Sequence, residues 1–361
     1  MIKKLLSFSV LLTGLVLFAQ QNIEMKADSI MKAYHIPEMT YAVVTPDKIV
    51  VQHTTGHHRI EEINDKPNAD IHDFFHLGSN TKAITGFIAG YLTEQKKIKW
   101  DQKFFDLFPE LKDKSNPKYY NITLAQLLQH QAGIQPFTSG AEYQKLPSFK
   151  GSKAEKRQAF AKYLLTLPPV ENNKPYNYSN AGYSIAALMM EKVSEKTWEQ
   201  LVQDVLKDKL KLQYNLGWPN RTNINQPWGH WKNPQLESVA PTTAYDLNLA
   251  EPAGDISMNI VDYSKFIQLN LQGLAGKNNI LKAKTYQYLF NSADHYSIGW
   301  ANTVVNNKKY SDHLGTDGTF LAYTQINQSE PKAYIILVNN GSPEAQDGLF
   351  KFLKILKKQY P

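Results

Sequence analysis

β-rich runs near both ends of the chain enclose a long helical middle, and that arrangement limits the fold more than any other feature. "MTYAVVTPDKIVVQHTTG", Met39 to Gly56, reads as two short strands separated by the turn signal Pro46-Asp47. Strand signals return after Pro252 in "YSIGWANTVV", "GTFLAYTQI" and "KAYIILVNN". Ile23, Ala27, Ile30, Met31 and Tyr34 repeat at helical spacing, which predicts a first helix, and a last one is expected from Pro343 to Tyr360. From about Trp100 to Asn248, helical stretches alternate with Pro- and Asn-rich loops such as "LTLPPVENNKPYNYSN" and "LGWPNRTNINQPWGHW". Strands and a helix at each end of such an insertion imply an α/β lobe interrupted by a helical one. The expected division is 20–99 with 252–361 for the α/β lobe and 100–251 for the helical lobe, within a chain of 361 residues that can bury a large core.

Composition then narrows the classes of function. Apolar residues make up 42% and charged residues 20%, ordinary for a globular enzyme and wrong for a disordered chain. The formal charge of +7 is spread among interleaved acids and bases, with no basic stripe interleaved with aromatics, so nucleic acid is not an expected partner. No cysteine occurs, which excludes disulfides, a thiol nucleophile and a thiolate metal site. Met1-Ile-Lys-Lys, an apolar run from Leu5 to Phe18 and then Ala19 describe a secretory signal peptide over 1–19. A periplasmic or secreted product without a membrane span in the mature chain is expected.

Three stretches hold residues suited to chemistry. In "FFHLGSNTKAITG", Ser79 and Lys82 stand three apart where a helix begins, its apolar repeat being Ile84, Phe87, Ile88, Tyr91 and Leu92. A helix start stabilises developing negative charge, and a buried, neutral lysine can take a serine proton. The same letters also fit an N-cap serine and a surface lysine, and Ser29–Lys32, Ser115–Lys118 and Ser329–Lys332 repeat the spacing. In "YNYSNAGYSIAALMM", Tyr178 and Asn180 sit at a loop-to-helix junction, where a phenol can relay protons and an amide can bind a carbonyl. Equally, Asn180 could cap and Tyr178 could pack, and Tyr119–Asn121 matches the same pattern. In "HLGTDGTFLAY", Gly315 at a strand edge would let a substrate backbone lie alongside, with Thr316 N–H donating to an oxyanion and His313 nearby. A tight turn with a satisfied His313 is the alternative.

The ordered combination S-x-x-K, Y-S-N, H-x-G resembles the serine β-lactamase and penicillin-binding protein superfamily, whose signatures include S-x-x-K. Tyr-x-Asn in second place is similar to the class C branch, which includes D,D-peptidases, D-aminopeptidases and esterases. "WDQKFFDLFPELK", "ITLAQLLQHQAGI" and "EPAGDISMNIVDYSKF" also look like segments of that family, so the resemblance runs from about Tyr41 to the C-terminus. It implies an antiparallel sheet flanked by helices, with an inserted all-helical lobe. It also implies that Ser79 is the nucleophile of an acyl-enzyme, that Lys82 and Tyr178 share acid–base work, and that Asn180 positions the substrate amide. Ser79 and Thr316 would supply the oxyanion N–H groups, and His313 would bind the polar end of a small-molecule or peptide substrate. No cofactor is implied.

Two departures bear on substrate. His313-Leu314-Gly315 stands where β-lactamases of this branch have Lys-Thr-Gly, and Phe137 stands where they have a glutamine, with Gln135 two residues earlier. Peptide or ester substrates are therefore expected ahead of penicillins and cephalosporins. A true β-lactamase and a non-catalytic penicillin-binding receptor are the rival readings. The histidines of "HTTGHH", His53 to His58, have no carboxylate nearby at ligand spacing and read as strand and turn, so no metal site is expected. Trp218, Trp228 and Trp231 fit either a cleft wall or a packed loop.

Overall fold

The computed structural model describes residues 21–171, 174, 176–232, 234–243 and 249–361; the expected signal peptide lies outside them. Six antiparallel strands form the main sheet in the order β2-β1-β11-β10-β9-β8. They are β1 (Glu38–Val44), β2 (Ile49–Gly56), β8 (Ala301–Val305), β9 (Lys308–Thr316), β10 (Leu321–Asn327) and β11 (Lys332–Val338). The β1–β2 hairpin closes at Pro46-Asp47 as its letters predict, Thr45 N–H donating to Lys48 O at 2.9 Å. "YSIGW" precedes β8 as a bend rather than a strand, joined to it by one bridge between Tyr296 and Ala301.

Alternation explains why these strands read as nearly continuous apolar runs. Met39, Tyr41 and Val43 of β1 face a layer made by helix α1 (21–33) and the C-terminal helix Pro343–Gln359, through Ile23, Ala27, Leu349 and Phe352. Ala42 and Val44 face the opposite way, into the larger core shared with the rest of the chain. Both faces are covered, so both sets are apolar. Full burial of a side chain such as Phe352 contributes about 1.5–3 kcal/mol. The C-terminal helix starts where its sequence dictates, with Ser342 Oγ accepting from Ala345 N–H and Pro343 in the first turn.

Helix α2 (Thr81–Glu94) runs through the middle of the molecule. Beyond it lie the short helices α3 (Phe104–Leu107), α4 (Leu124–Leu128) and α5 (Gly140–Tyr143), then α6 (Lys153–Thr166), α7 (Asn180–Ser194) and α8 (Trp198–Val202). Fully buried Arg157 of α6 holds Glu191 of α7, Glu199 of α8 and Glu251 together. Among the described residues, no helix is long and apolar enough to cross a membrane.

The stretch 100–251 is not helical throughout. β4 (Asn215–Leu216) pairs with β7 (Ile256–Asn259), which pairs with β3 (Phe74–His76), while β5 (His230–Lys232) and β6 (Leu236–Ser238) make a small hairpin. His230 anchors that hairpin, its Nδ1 meeting Asn339 O at the end of β11 at 2.6 Å. This corrects the all-helical expectation for its last third. Strands of two or three residues carry no readable period, and the partner of β4 lies outside the stretch.

Candidate active site

Ser79 sits in a single 3-10 turn, Gly78–Asn80, between the end of β3 and the start of α2. Every residue from Phe75 to Gly90 is buried except Ser79. No side-chain cap bond forms at this turn, which removes the N-cap reading. Asn80 fastens the turn, its Nδ2 donating to Ala322 O at 2.9 Å and its Oδ1 accepting from Tyr263 OH at 3.1 Å. β9 passes directly over it. A Cβ on Gly315 would stand 2.0 Å from Leu77 O and 2.7 Å from Ser79 N, and one on Gly78 (φ +49°) would stand 2.3 Å from Thr316 N. Both positions therefore require glycine. The same approach brings the amide of Ser79 beside Gly315 and that of Thr316 beside Gly78. The Cβ side of Gly315 is filled by the protein's own turn.

Lys82 lies one helical step further on and is fully buried. Its Nζ lies 3.1 Å from Ser79 Oγ and donates to Asn180 Oδ1 at 2.7 Å and Ala253 O at 2.9 Å, which in the neutral amine leaves the lone pair facing the Ser79 hydroxyl. Among the described residues no carboxylate pairs with it, so desolvation holds its pKa well below the ordinary lysine range. The rings of Tyr178 and Tyr183 lie 4.7 and 5.4 Å from Nζ.

Tyr178 and Asn180 reach the site from the start of α7, which Ser179 caps, its Oγ accepting from Gly182 N–H at 2.9 Å. Burial raises the Tyr178 phenol above its ordinary pKa, and hydrogen bonding to Ser79 opposes that only in part. Asn180 is neither the cap nor a free amide. Its Oδ1 holds Lys82, and its Nδ2 donates to Phe137 O at 2.9 Å. Asn180 thus orients the lysine while it also lines the cleft. Gln135 donates to Pro168 O at 2.7 Å and Phe137 packs against Phe160, so neither brings an amide to the site.

His313, expected to bind the polar end of a substrate, is engaged at both nitrogens. Nδ1 lies 3.1 Å from Leu314 O, which assigns the proton there, and Nε2 then accepts from Tyr296 OH at 2.9 Å. Burial first, then Lys82, lower its pKa to about 3. It is a neutral wall residue. Sequence reasoning missed two neighbours. Tyr296, from the "YSIGW" segment, lies tilted against His130, from "LLQHQAGI", with centroids 4.4 Å apart, and the His130 ring lies 4.3 Å from that of Tyr178. Their signal was the family-like segment each belongs to; an aromatic and a histidine carry no pattern by themselves.

Together Ser79, Tyr176, Tyr178, Asn180, Tyr296 and Thr316 line a cleft of about 320 Å³. A serine hydroxyl beside a desolvated amine, with a phenol and two backbone amides around it, can form and hydrolyse an ester with an acyl group. The other sequence matches are occupied elsewhere. Ser29 donates to Met25 O, Ser115 to Leu111 O, and Ser329 Oγ accepts from Lys309 N–H. Tyr119 is buried in the core, and His76 sits between Asp255 and Asp317. Of the three tryptophans, Trp218 is buried and donates to Asp317, Trp228 donates to Ile224 O, and Trp231 is 39% exposed; none lines this cleft.

Comparison with known proteins agrees with this geometry. A protein called Flp from Staphylococcus aureus strain MW2 is 21% identical over 332 residues, 90% of this chain and 64% of the relative, so the chain spans less than two thirds of that protein. A β-lactamase from Providencia stuartii is 24% identical over 291 residues, 78% of this chain and 67% of the relative. The octameric penicillin-binding protein homologue from Pyrococcus abyssi shares the fold with a TM-score of 0.73 at 16% identity, over 93% of this chain and 77% of that one. The family model described as Beta-lactamase matches residues 23–355, and the chain therefore belongs to the serine β-lactamase and penicillin-binding protein superfamily.

Proposed function

We propose that the protein is an exported serine hydrolase that cleaves amide or ester bonds of peptide-like or ester substrates through an acyl-enzyme on Ser79. The observation that carries this reading is the position of Lys82, buried without a carboxylate and 3.1 Å from Ser79 Oγ. Neutral Lys82 takes the proton as Ser79 attacks the carbonyl carbon, and the amides of Ser79 and Thr316 receive the oxyanion. The Tyr178 phenol, held protonated by burial, passes a proton to the leaving group. Water then attacks the ester by the reverse route and releases the acid. Asn180 serves by holding Lys82 toward Ser79.

The preference for esters and peptides rests on His313. Penicillins and cephalosporins carry a carboxylate that a cation there would hold, and a neutral, internally bonded imidazole offers none. One charge-assisted bond is worth about 1.5–3 kcal/mol, which is roughly one to two powers of ten in efficiency. The test is kcat/KM for a chromogenic cephalosporin, a p-nitrophenyl ester, a D-amino-acid anilide and a D-Ala-D-Ala peptide. Ester or peptide turnover should exceed cephalosporin turnover by at least tenfold. Cephalosporin turnover above all others would make the protein a true β-lactamase, and a stable, unreleased penicillin adduct would make it a receptor.

A further inference from the structure

Away from the cleft, three side chains that the sequence keeps apart converge where the sheet meets β3. Glu38 opens β1, His58 lies two residues past β2, and Asp73 immediately precedes β3. One ligand-type atom from each lies within 4.8 Å of the other two. Sequence around "HTTGHH" offers no carboxylate at ligand spacing; the fold supplies one from earlier and one from later in the chain.

Glu38 is the telling member. It is fully buried, and neither carboxylate oxygen accepts a hydrogen bond from a donor among the described residues. What it faces is a second carboxylate, Asp73, itself 4% exposed. Asp73 Oδ2 already receives His58 Nε2 at 2.9 Å and the amide of Asp70, and its Oδ1 receives Gln226 Nε2 at 3.4 Å. Buried carboxylates are ordinarily bonded or paired, and two that face each other must hold either a shared proton or a cation between them.

The geometry points to a divalent transition-metal site, of the zinc type, built from Glu38, His58 and Asp73. Two carboxylates and a neutral imidazole around a doubly charged cation leave no net charge. One nitrogen and two oxygens are a donor set that zinc accepts at about 2.0–2.2 Å, and the mixture of imidazole with carboxylate favours it over calcium or magnesium. Bonds of that length put ligand atoms about 3.3 Å apart in a tetrahedron, so binding draws Glu38 inward and leaves a fourth position for water. For Nε2 to bind, the single proton of the neutral His58 ring sits on Nδ1 instead, so the bond from Nε2 to Asp73 is exchanged for one to the metal. Such a site would tie β1, the loop after β2 and the lead into β3, whose far end reaches the Ser79 turn.

The experiment uses the full mature protein, stripped with a chelator, dialysed at pH 7.5 and titrated calorimetrically with Zn²⁺ alone, with unfolding temperature measured at each point. The expected result is one saturable site and a rise in unfolding temperature that follows occupancy. Glu38→Gln and Asp73→Asn should each weaken binding by at least the roughly 10–100-fold that indirect partners of a metal contribute. If either fails to fold, His58→Gln, on the more exposed side, makes the same comparison. Absence of saturable binding in the wild type, with infrared detection of a protonated buried carboxyl, would mean that Glu38 and Asp73 share a proton and would overturn the site. Binding that is unchanged in the variants, or is met by Ca²⁺ but not Zn²⁺, would overturn it as well.

Discussion

At the scale of single residues, the site separates two groups that the motif alone leaves sharing one task. Burial lowers the pKa of Lys82 and raises that of Tyr178, the directions that suit the amine as base and the phenol as acid in the proposed reaction. A base works only when neutral, so kcat/KM should climb as pH rises through the lowered pKa of Lys82 and should be lost below it. A kcat/KM that does not fall on acidification anywhere in the range where the protein stays folded would remove Lys82 from this role. Tyr178→Phe keeps the ring and deletes the hydroxyl. It should slow turnover by about 100-fold or more, yet shift stability by less than about 1–1.5 kcal/mol; steady-state rates and urea midpoints on the same sample check both. Ser79, Lys82 and Tyr178 could be singled out because each lies in a short local motif and the motifs occur in a family-like order. The engagement of Asn180 and His313 was not, since it depends on Lys82, 98 positions away in the chain, and on Tyr296. A sequence shows that a side chain can bind something; whether the fold has already bound it is a tertiary fact.

Among elements, the contact between β9 and the Ser79 turn is the tightest feature of the site. Gly315→Ala would force a Cβ to within 2.0 Å of a backbone oxygen, with strand on one side and helix on the other. Overpacking of this kind costs about 1–3 kcal/mol. Because a misplacement of about 1 Å can cost 100-fold in rate, turnover should fall much further than stability. Thermal unfolding compared with kcat is the measurement, and equal activity would mean that the turn does not set the oxyanion amides. In the helical part, Arg157→Met leaves Glu191, Glu199 and Glu251 facing one another without their shared cation. Loss of about 3–5 kcal/mol is expected from breaking such a buried network, read as a lower urea midpoint at unchanged slope. Helices α1, α2 and the C-terminal one and the β1–β2 hairpin were readable from period and turn chemistry, with α7 starting at Asn180 after the predicted loop. β4, β5 and β6 were not, because so short a strand is defined by its partner and not by its own letters.

For the molecule as a whole, the cleft is a product of assembly. The α2 segment brings Ser79 and Lys82, the helical insertion brings Tyr178 and Asn180, the chain just before β7 brings the Ala253 carbonyl, and the sheet brings His313 and Thr316. None of these segments could hold Lys82 dry without the others. Strand signals at both ends of the sequence already imply that the late strands return to pair with the early one, as β1 with β11 does. How closely β9 would settle on the turn was not implied. The central claim is that this assembly makes Ser79, and no other serine, a nucleophile. Mass spectrometry of the intact protein after reaction with an active-site acylating probe, followed by peptide mapping, tests it directly. One adduct per chain on the peptide carrying Ser79, absent in Ser79→Ala and retained in Ser29→Ala and Ser115→Ala, is the predicted result. Full labelling of Ser79→Ala would contradict it.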